Sequence, residues 1–309
     1  MLYNRVLITG AHGLVGQALV HHMSGMPEYD VLATARDDES RLSGGSFGYA
    51  PLDITRTDAV KRLFEDFAPT VVINCAAMTQ VDDCEKHRDK CWKVNAEAVE
   101  DMARLCRSFG IRLIQLSTDF VFSGDDGPYS EKQRPNPVNF YGRSKLAAEN
   151  ATREAGVDKW AVARTVLVYG TGNKLSRSNI ALWLVEALSN NEEVTIVTDQ
   201  YRTPTYVQDL AHGLERLVHS EKCGIFHLSG REMVSIYDFA HEVAHVFDLD
   251  SSLIQPTTSQ ELNQRAKRPP RTGFVILKSE TEIGYRPRSL RDGLRSLRKQ
   301  LNSTPHTNL

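Results

Sequence analysis

The stretch RVLITGAHGLVG, residues 5–16, decides the fold. An apolar, β-branched run stops at Gly10, and Gly13 and Gly16 follow at three-residue intervals before the amphipathic segment from Gln17 to Met26. We read strand, tight turn, helix. Glycines at these places let the backbone reverse sharply and let a diphosphate approach the helix N-terminus, where unpaired amides and the helix dipole favour negative charge. A glycine pattern alone is common, but between a strand and a helix in the first βαβ unit it predicts a dinucleotide site. The candidate cofactor residues here are Gly10, His12, Gly13, Leu14, Val15 and Gly16.

Outward from this turn the same alternation continues. DVLATAR, TVVINCAA, RLIQLST and AVARTVLVYG read as strands. Between them lie amphipathic segments at Asp58 to Phe67, Asn95 to Phe109 and from Ser144 onward. Strands that are apolar on both faces are expected where helices cover both sides of a parallel sheet. The predicted class is α/β, a Rossmann-type doubly wound parallel sheet with a smaller C-terminal substrate-binding lobe. Beyond Gly170 the rhythm loosens into a helix at 178–189, the strand EVTIVTD, a helix at 208–219 and the strand GIFHLSG. We assign 1–170 to the dinucleotide domain, with 204–230 returning to it. Residues 171–203 and 231–302 make the lobe, and 303–309 a flexible tail.

Composition sets the outer limits. The 309 residues are 41% hydrophobic and 25% charged, with a formal net charge of -2. That balance gives no reason to expect a nucleic-acid or membrane partner. No apolar run is long enough to cross a bilayer and the N-terminus lacks the order of a signal peptide, so a cytoplasmic protein is expected. The five cysteines form no CxxC pair and read as buried, reduced thiols.

The dinucleotide fingerprint places an acid at the end of the second strand, but here that strand ends in Arg36. A guanidinium suits a 2′-phosphate, which favours NADPH and leaves NADH the alternative. Asp53 and Ile54 follow the third strand-like run, where adenine would be flanked. Ala76 and Ala77 end TVVINCAA, where the second phosphate and the nicotinamide ribose would pass. Catalysis is placed at Thr118, Tyr141 and Lys145. Tyr141 and Lys145 are four apart, so they share a helix face. A nearby cation favours the phenolate and brings a group with a pKa of about 10 into catalytic range. Thr118, at a strand end, supplies a hydroxyl for a carbonyl oxygen.

In that order the motifs resemble the extended short-chain dehydrogenases/reductases, and within them the dTDP-4-dehydrorhamnose reductase branch. The blocks that carry the likeness are the glycine turn, NCAAMTQVDDCE, VNAEAV, STDFVFSG, PNPVNFYGRSKLAAE and TDQYRTPTYVQDLA. The resemblance implies that Tyr141 protonates a sugar-nucleotide ketone, that Lys145 binds the nicotinamide ribose, and that Thr118 positions the substrate oxygen. It also recruits Asp119, Phe120, Asn139, Arg202, Arg268 and Arg271 to the substrate. The chain departs from the branch at Phe120, at Val166 and Leu167, and at RPPRTGF, all where substrate would lie. RTVLVYG and GIFHLSGREMVSIYDF are also similar to regulatory beta subunits of methionine adenosyltransferase, which implies an NADP-binding partner protein as the second reading. A homodimer, and the Mg²⁺ that some related reductases use at a subunit contact, are left open by the resemblance.

HEVAH, His241 to His245, spells the zinc-peptidase HExxH. No histidine follows until His306, so a third ligand is missing. Ser235 and Asp238 read instead as the cap of a helix reaching Phe247, buried through Ile236, Phe239, Ala240, Val243 and Phe247, with both imidazoles at its surface. We predict no metal centre.

Overall fold

A computed structural model describes residues 4–262 and 264–303, so all but the first residue of the expected tail lies outside the described residues. The strands are β1 Asn4–Thr9, β2 Tyr29–Ala35, β3 Gly48–Pro51, β4 Val71–Asn74, β5 Arg112–Thr118, β6 Trp160–Thr165, β7 Val168–Tyr169, β8 Val194–Val197, β9 Tyr201–Arg202, β10 Thr205–Tyr206, β11 Gly224–His227, β12 Val234–Ser235 and β13 Ile254–Thr257. The helices are α1 Leu14–Met23, α2 Thr57–Phe67, α3 Val81–Lys86, α4 Arg88–Trp92, α5 Ala98–Phe109, α6 Phe140–Glu154, α7 Ile180–Ser189, α8 Val207–Ser220, α9 Ile236–Phe247, α10 Leu277–Glu282 and α11 Leu290–Ser303.

Seven strands form one sheet in the order β11-β6-β5-β4-β1-β2-β3, all neighbours parallel. The order reverses between β1 and β4, which opens the crevice at their C-terminal ends where doubly wound sheets bind ligands. Alternate residues of the central strands enter opposite layers. Val6 and Ile8 join the core under α1 and α8, whereas Leu7 joins the one under α2 and α5. Ile73 and Ile114 face the first layer, and Val72 and Leu113 the second. Each such side chain contributes about 1.5–3 kcal/mol on full burial, so the absence of polar alternation is the cost of covering both faces.

A separate core gathers α7, α9, α11, β8 and β13 around Leu184, Phe239, Val243 and Leu294. Between these layers the chain departs from expectation. The segment assigned to the lobe at 274–285 packs Phe274, Ile276, Ile283 and Tyr285 into the sheet's core. It is tied to the edge strand β11 by Lys278 Nζ to Ile225 O at 2.7 Å and Ser279 Oγ to His227 O at 2.7 Å. The run AVARTVLVYG breaks after β6, where Leu167 takes a φ of 39°, a left-handed conformation uncommon outside glycine. The helix expected from Ser144 starts four residues earlier, at Phe140, because Asn139 Oδ1 accepts from Gly142 N at 2.8 Å and caps it.

Candidate active site

At the mouth of the crevice, Gly10 has a φ of +68° and its Cα faces Ala76; an added Cβ would stand 2.6 Å from Ala76 N. At Gly16 a Cβ would come within 2.7 Å of the Ala11 Cα. These glycines hold the turn against the sheet. Gly13 precedes α1 and no side chain caps that helix, so its first amides stay free to receive an anion. The donor set therefore fits a diphosphate. Leu14 and Val15 pack against the sheet's core from the first turn.

Beside this turn His12 is fully engaged. Its Nε2 accepts from Arg41 N at 3.1 Å, which leaves the proton on Nδ1 for Asp37 Oδ2 at 3.2 Å. Its ring stacks on Tyr49 at 5.5 Å. Asp37 also pairs with Arg41 at 2.6 Å, and Asn173 Nδ2 reaches back to Arg41 O at 2.8 Å. Arg36 is exposed at the end of β2. Arg41 adds a second guanidinium to this rim that sequence reading missed, because its carboxylate partner at i−4 reads as an ordinary surface pair. Ile54 is buried, and Asp53 Oδ1 accepts from Thr55 N at 3.0 Å. Ala77 follows Ala76 at the exit of β4.

A polar ladder crosses the C-terminal ends of β1, β4 and β5. Thr9 Oγ1 donates to Asn74 Oδ1 at 2.5 Å, and Asn74 Nδ2 to Gln115 Oε1 at 2.7 Å. Thr118 ends β5, and its hydroxyl donates to Asp119 Oδ1 at 3.0 Å and accepts from Phe120 N at 3.2 Å. Burial pushes the Tyr141 phenol well up, with the Thr118 hydroxyl and Arg177 opposing. Lys145, 3% exposed, donates to Leu116 O at 2.7 Å. Burial draws its ammonium down to about 8, against the pull of Glu149. Phe120 meets Tyr141 edge-on at 6.0 Å.

Three of the expected substrate residues are committed to the scaffold. Arg202 Nε lies 3.5 Å from Asp119 Oδ2, and its Nη2 donates to Pro269 O at 2.7 Å. Arg268 forks onto Asp82 at 2.6 and 3.0 Å. Asn139, besides capping α6, donates to Lys267 O at 2.9 Å. Arg271 is exposed, donates to Gly127 O at 3.0 Å and lies over the Tyr201 ring at 5.3 Å. Asn95, missed by sequence reading, clamps the loop after β4: it accepts from Met78 N at 2.8 Å and donates to Ser144 Oγ at 3.0 Å. The signal was its place in VNAEAV.

The HEVAH helix is capped by Ser235 Oγ, which accepts from Asp238 N at 2.9 Å. Glu242 is held by Arg291 at 2.5 and 3.0 Å. The expected stripe is buried at Ile236, Phe239, Ala240 and Val243, with Phe247 half-buried against the same core; His245 is exposed, but His241 is half-buried against Tyr237 at 4.5 Å, which corrects its expected surface placement. The stripe turns toward α11, whose Leu294 and Leu297 fill its flank. Among the described residues no group of three histidine, cysteine, aspartate or glutamate side chains could hold a metal ion. Cys84, Cys91 and Cys106 are buried, whereas Cys75 is half-buried and Cys223 exposed, which corrects the uniform burial expected.

A parallel sheet with a glycine turn at its switch point and a Thr-Tyr-Lys set on the next strand and helix is the architecture of the short-chain dehydrogenase/reductase class. The profile described as RmlD substrate binding domain matches residues 4–303, and the chain belongs to that family. It is 32% identical to a probable low-salt glycan biosynthesis reductase, Agl14, of Haloferax volcanii, over 94% of this chain and 96% of that one. It is also 32% identical to the methionine adenosyltransferase 2 subunit beta of Bos taurus, over 91% and 84%. The solved dTDP-4-dehydrorhamnose reductase of Bacillus anthracis in complex with NADP superposes with a TM-score of 0.86 at 29% identity, covering 96% of this chain and 99% of that one.

Proposed function

We propose that this protein is an NADPH-dependent oxidoreductase that reduces the 4-keto group of a nucleotide sugar, acting as a dTDP-4-dehydrorhamnose reductase. The observation that carries the reading is the burial of Thr118 at the end of β5 and of Tyr141 and Lys145, one turn apart on α6, at the same end of the sheet. NADPH, when bound, supplies the hydride. Gly10 and Gly16 hold the turn tight against the sheet, the bare end of α1 offers its amides to the diphosphate, and Arg36 with Arg41 offers guanidinium to the 2′-phosphate. Thr118 and Tyr141 together hold the ketone oxygen, and the phenol proton passes to that oxygen as the carbon is reduced. Arg177 is the cation that opposes the penalty burial imposes on losing that proton, and Lys145, one turn along the helix, serves the nicotinamide ribose. The five unpaired thiols suit the reducing cytoplasm where we place the protein.

The test is NADPH oxidation by the purified protein with dTDP-4-dehydro-6-deoxy-L-mannose, alongside a panel of other 4-keto sugar nucleotides. Tight NADPH binding without turnover on any of them would sink the reading. The second reading, an NADP-binding regulatory subunit, draws on the committed states of Arg202, Arg268 and Asn139, which are tied to protein groups. Co-purification with a methionine adenosyltransferase would select it.

A further inference from the structure

Glu149 is a charged side chain beside the reacting groups to which the chemistry above gives no task. It follows Tyr141 and Lys145 at the same four-residue spacing on α6, so the three stand along one helix face. Its carboxylate is buried at 4% exposure. It accepts from Ser117 Oγ at 2.5 Å and from Nε and Nη2 of Arg164 at 2.8 and 2.6 Å. Arg164 is 1% exposed, lies 5.1 Å over the Phe122 ring, and brings Nη1 to 3.5 Å from His227 Nε2. A buried ion pair contributes little net stability once desolvation is counted. Its position is the more informative property.

The groups that face Lys145 come from five parts of the fold. Glu149 stands on its own helix, Cys75 after β4, Cys84 on α3, Cys91 on α4, and the Leu116 carbonyl on β5. Among the described residues Glu149 is the one carboxylate in that set, and its charge opposes the burial that draws the ammonium down. We propose that Glu149, held by Ser117 and Arg164, is a positioning residue that keeps Lys145 charged in a site closed to water. Lys145 then stays cationic where the nicotinamide ribose needs it. The inference rests on the reductase reading only for the role of Lys145.

The experiment compares wild type with Glu149→Gln from pH 6 to 10, reading NADPH affinity by fluorescence with no sugar nucleotide present. Wild type should lose affinity as Lys145 deprotonates, and the variant should do so at a pH lower by about one unit. With substrate, the alkaline limb of NADPH oxidation should move by the same amount. In a Lys145→Arg background, whose guanidinium stays charged, Glu149→Gln should move neither. A merely structural Glu149 would lower the melting temperature and leave the midpoint in place. If Glu149→Gln fails to fold, Arg164→Gln replaces it: with its counter-cation gone the carboxylate acts on Lys145 unopposed, the alkaline midpoint should rise, and an unmoved midpoint overturns the inference. An alkaline midpoint shared by wild type and the folded variant, or none in either, overturns the inference. Because the affinity measurement needs no ketone, a failed reductase reading leaves that result legible.

Discussion

Arg202 and Asp119 face each other in the interior, Nε to Oδ2 at 3.5 Å, with side chains only 3% and 4% exposed. Burial pushes the Asp119 carboxyl up and the Arg202 guanidinium down, each partly restored by the other. Removing one partner leaves an uncompensated buried charge, so Arg202→Met should destabilise the fold by about 3–5 kcal/mol. Urea unfolding measures it, and a loss below about 1 kcal/mol would mean that the pair carries no such burden.

Tyr141→Phe removes the proton donor and leaves the ring that fills the pocket beside Phe120, Cys84 and Cys91. Turnover should fall about 10²–10⁴-fold, while NADPH affinity stays within a factor of a few. A variant with half the wild-type rate would move the proton donor elsewhere.

Arg36→Ala should weaken NADPH more than NADH, since a charge-assisted hydrogen bond to phosphate contributes about 1.5–3 kcal/mol. That is roughly 10- to 100-fold in the ratio of dissociation constants. Equal losses for both cofactors would make Arg36 a bystander and turn attention to Arg41, whose guanidinium is shared with Asp37.

Gly142 sits at the start of α6 against the loop that carries Phe120. A Cβ there would overlap the Phe120 carbonyl and stand 2.9 Å from the Pro137 Cβ. Gly142→Ala must therefore push α6 away from β5, and with it Tyr141 from Thr118. A stability loss of about 1–3 kcal/mol is expected from such overpacking, accompanied by a fall in kcat larger than any change in NADPH affinity. Unaltered kcat would show that the helix can slide without separating the pair.

Acid stability follows from His227, which is stacked on Phe274 at 3.8 Å and lowered well below the usual histidine range by burial and by Arg164. His22 and His212, their rings 4.3 Å apart between α1 and α8, are also lowered by burial. Each binds a proton more readily unfolded than folded. The stability they permit is complete above about pH 6.5 and is lost as pH falls through that value toward the folded pKa values. Each such group steepens the loss by up to about 1.4 kcal/mol per pH unit, and His227→Phe should remove one proton's worth of slope in unfolding measured between pH 7.5 and 5.

The order of strands and helices was legible because its signals are local: glycines at three-residue spacing and β-branched runs between amphipathic ones. The break after β6 was not, since Leu167 takes a positive φ with no glycine to announce it. The start of α6 was hidden because its cap, Asn139, stands in the loop closed by Pro137 and reads as a polar loop residue. At the candidate site, residue type announced Thr118, Tyr141 and Lys145, since spacing alone aligns a phenol and an ammonium. Type did not disclose the partners of Arg202 and Arg268. A basic residue near a substrate lobe suggests phosphate, yet their acceptors are an aspartate and a proline carbonyl far away in sequence. Glu149 was visible only as one more helix carboxylate, for its meaning lies in Arg164, fifteen residues on and on strand β6.

The pairing of Arg268 with Asp82 spans 186 residues, and Thr272 closes on Asp119 across 153. Ordering a loop of that length costs entropy that only the finished contacts return. Closure of the pocket is therefore expected to follow formation of the sheet that supports it. Activity would then report on completed folding: a population with its sheet formed but this closure missing would retain most of its helix and strand signal while doing no chemistry.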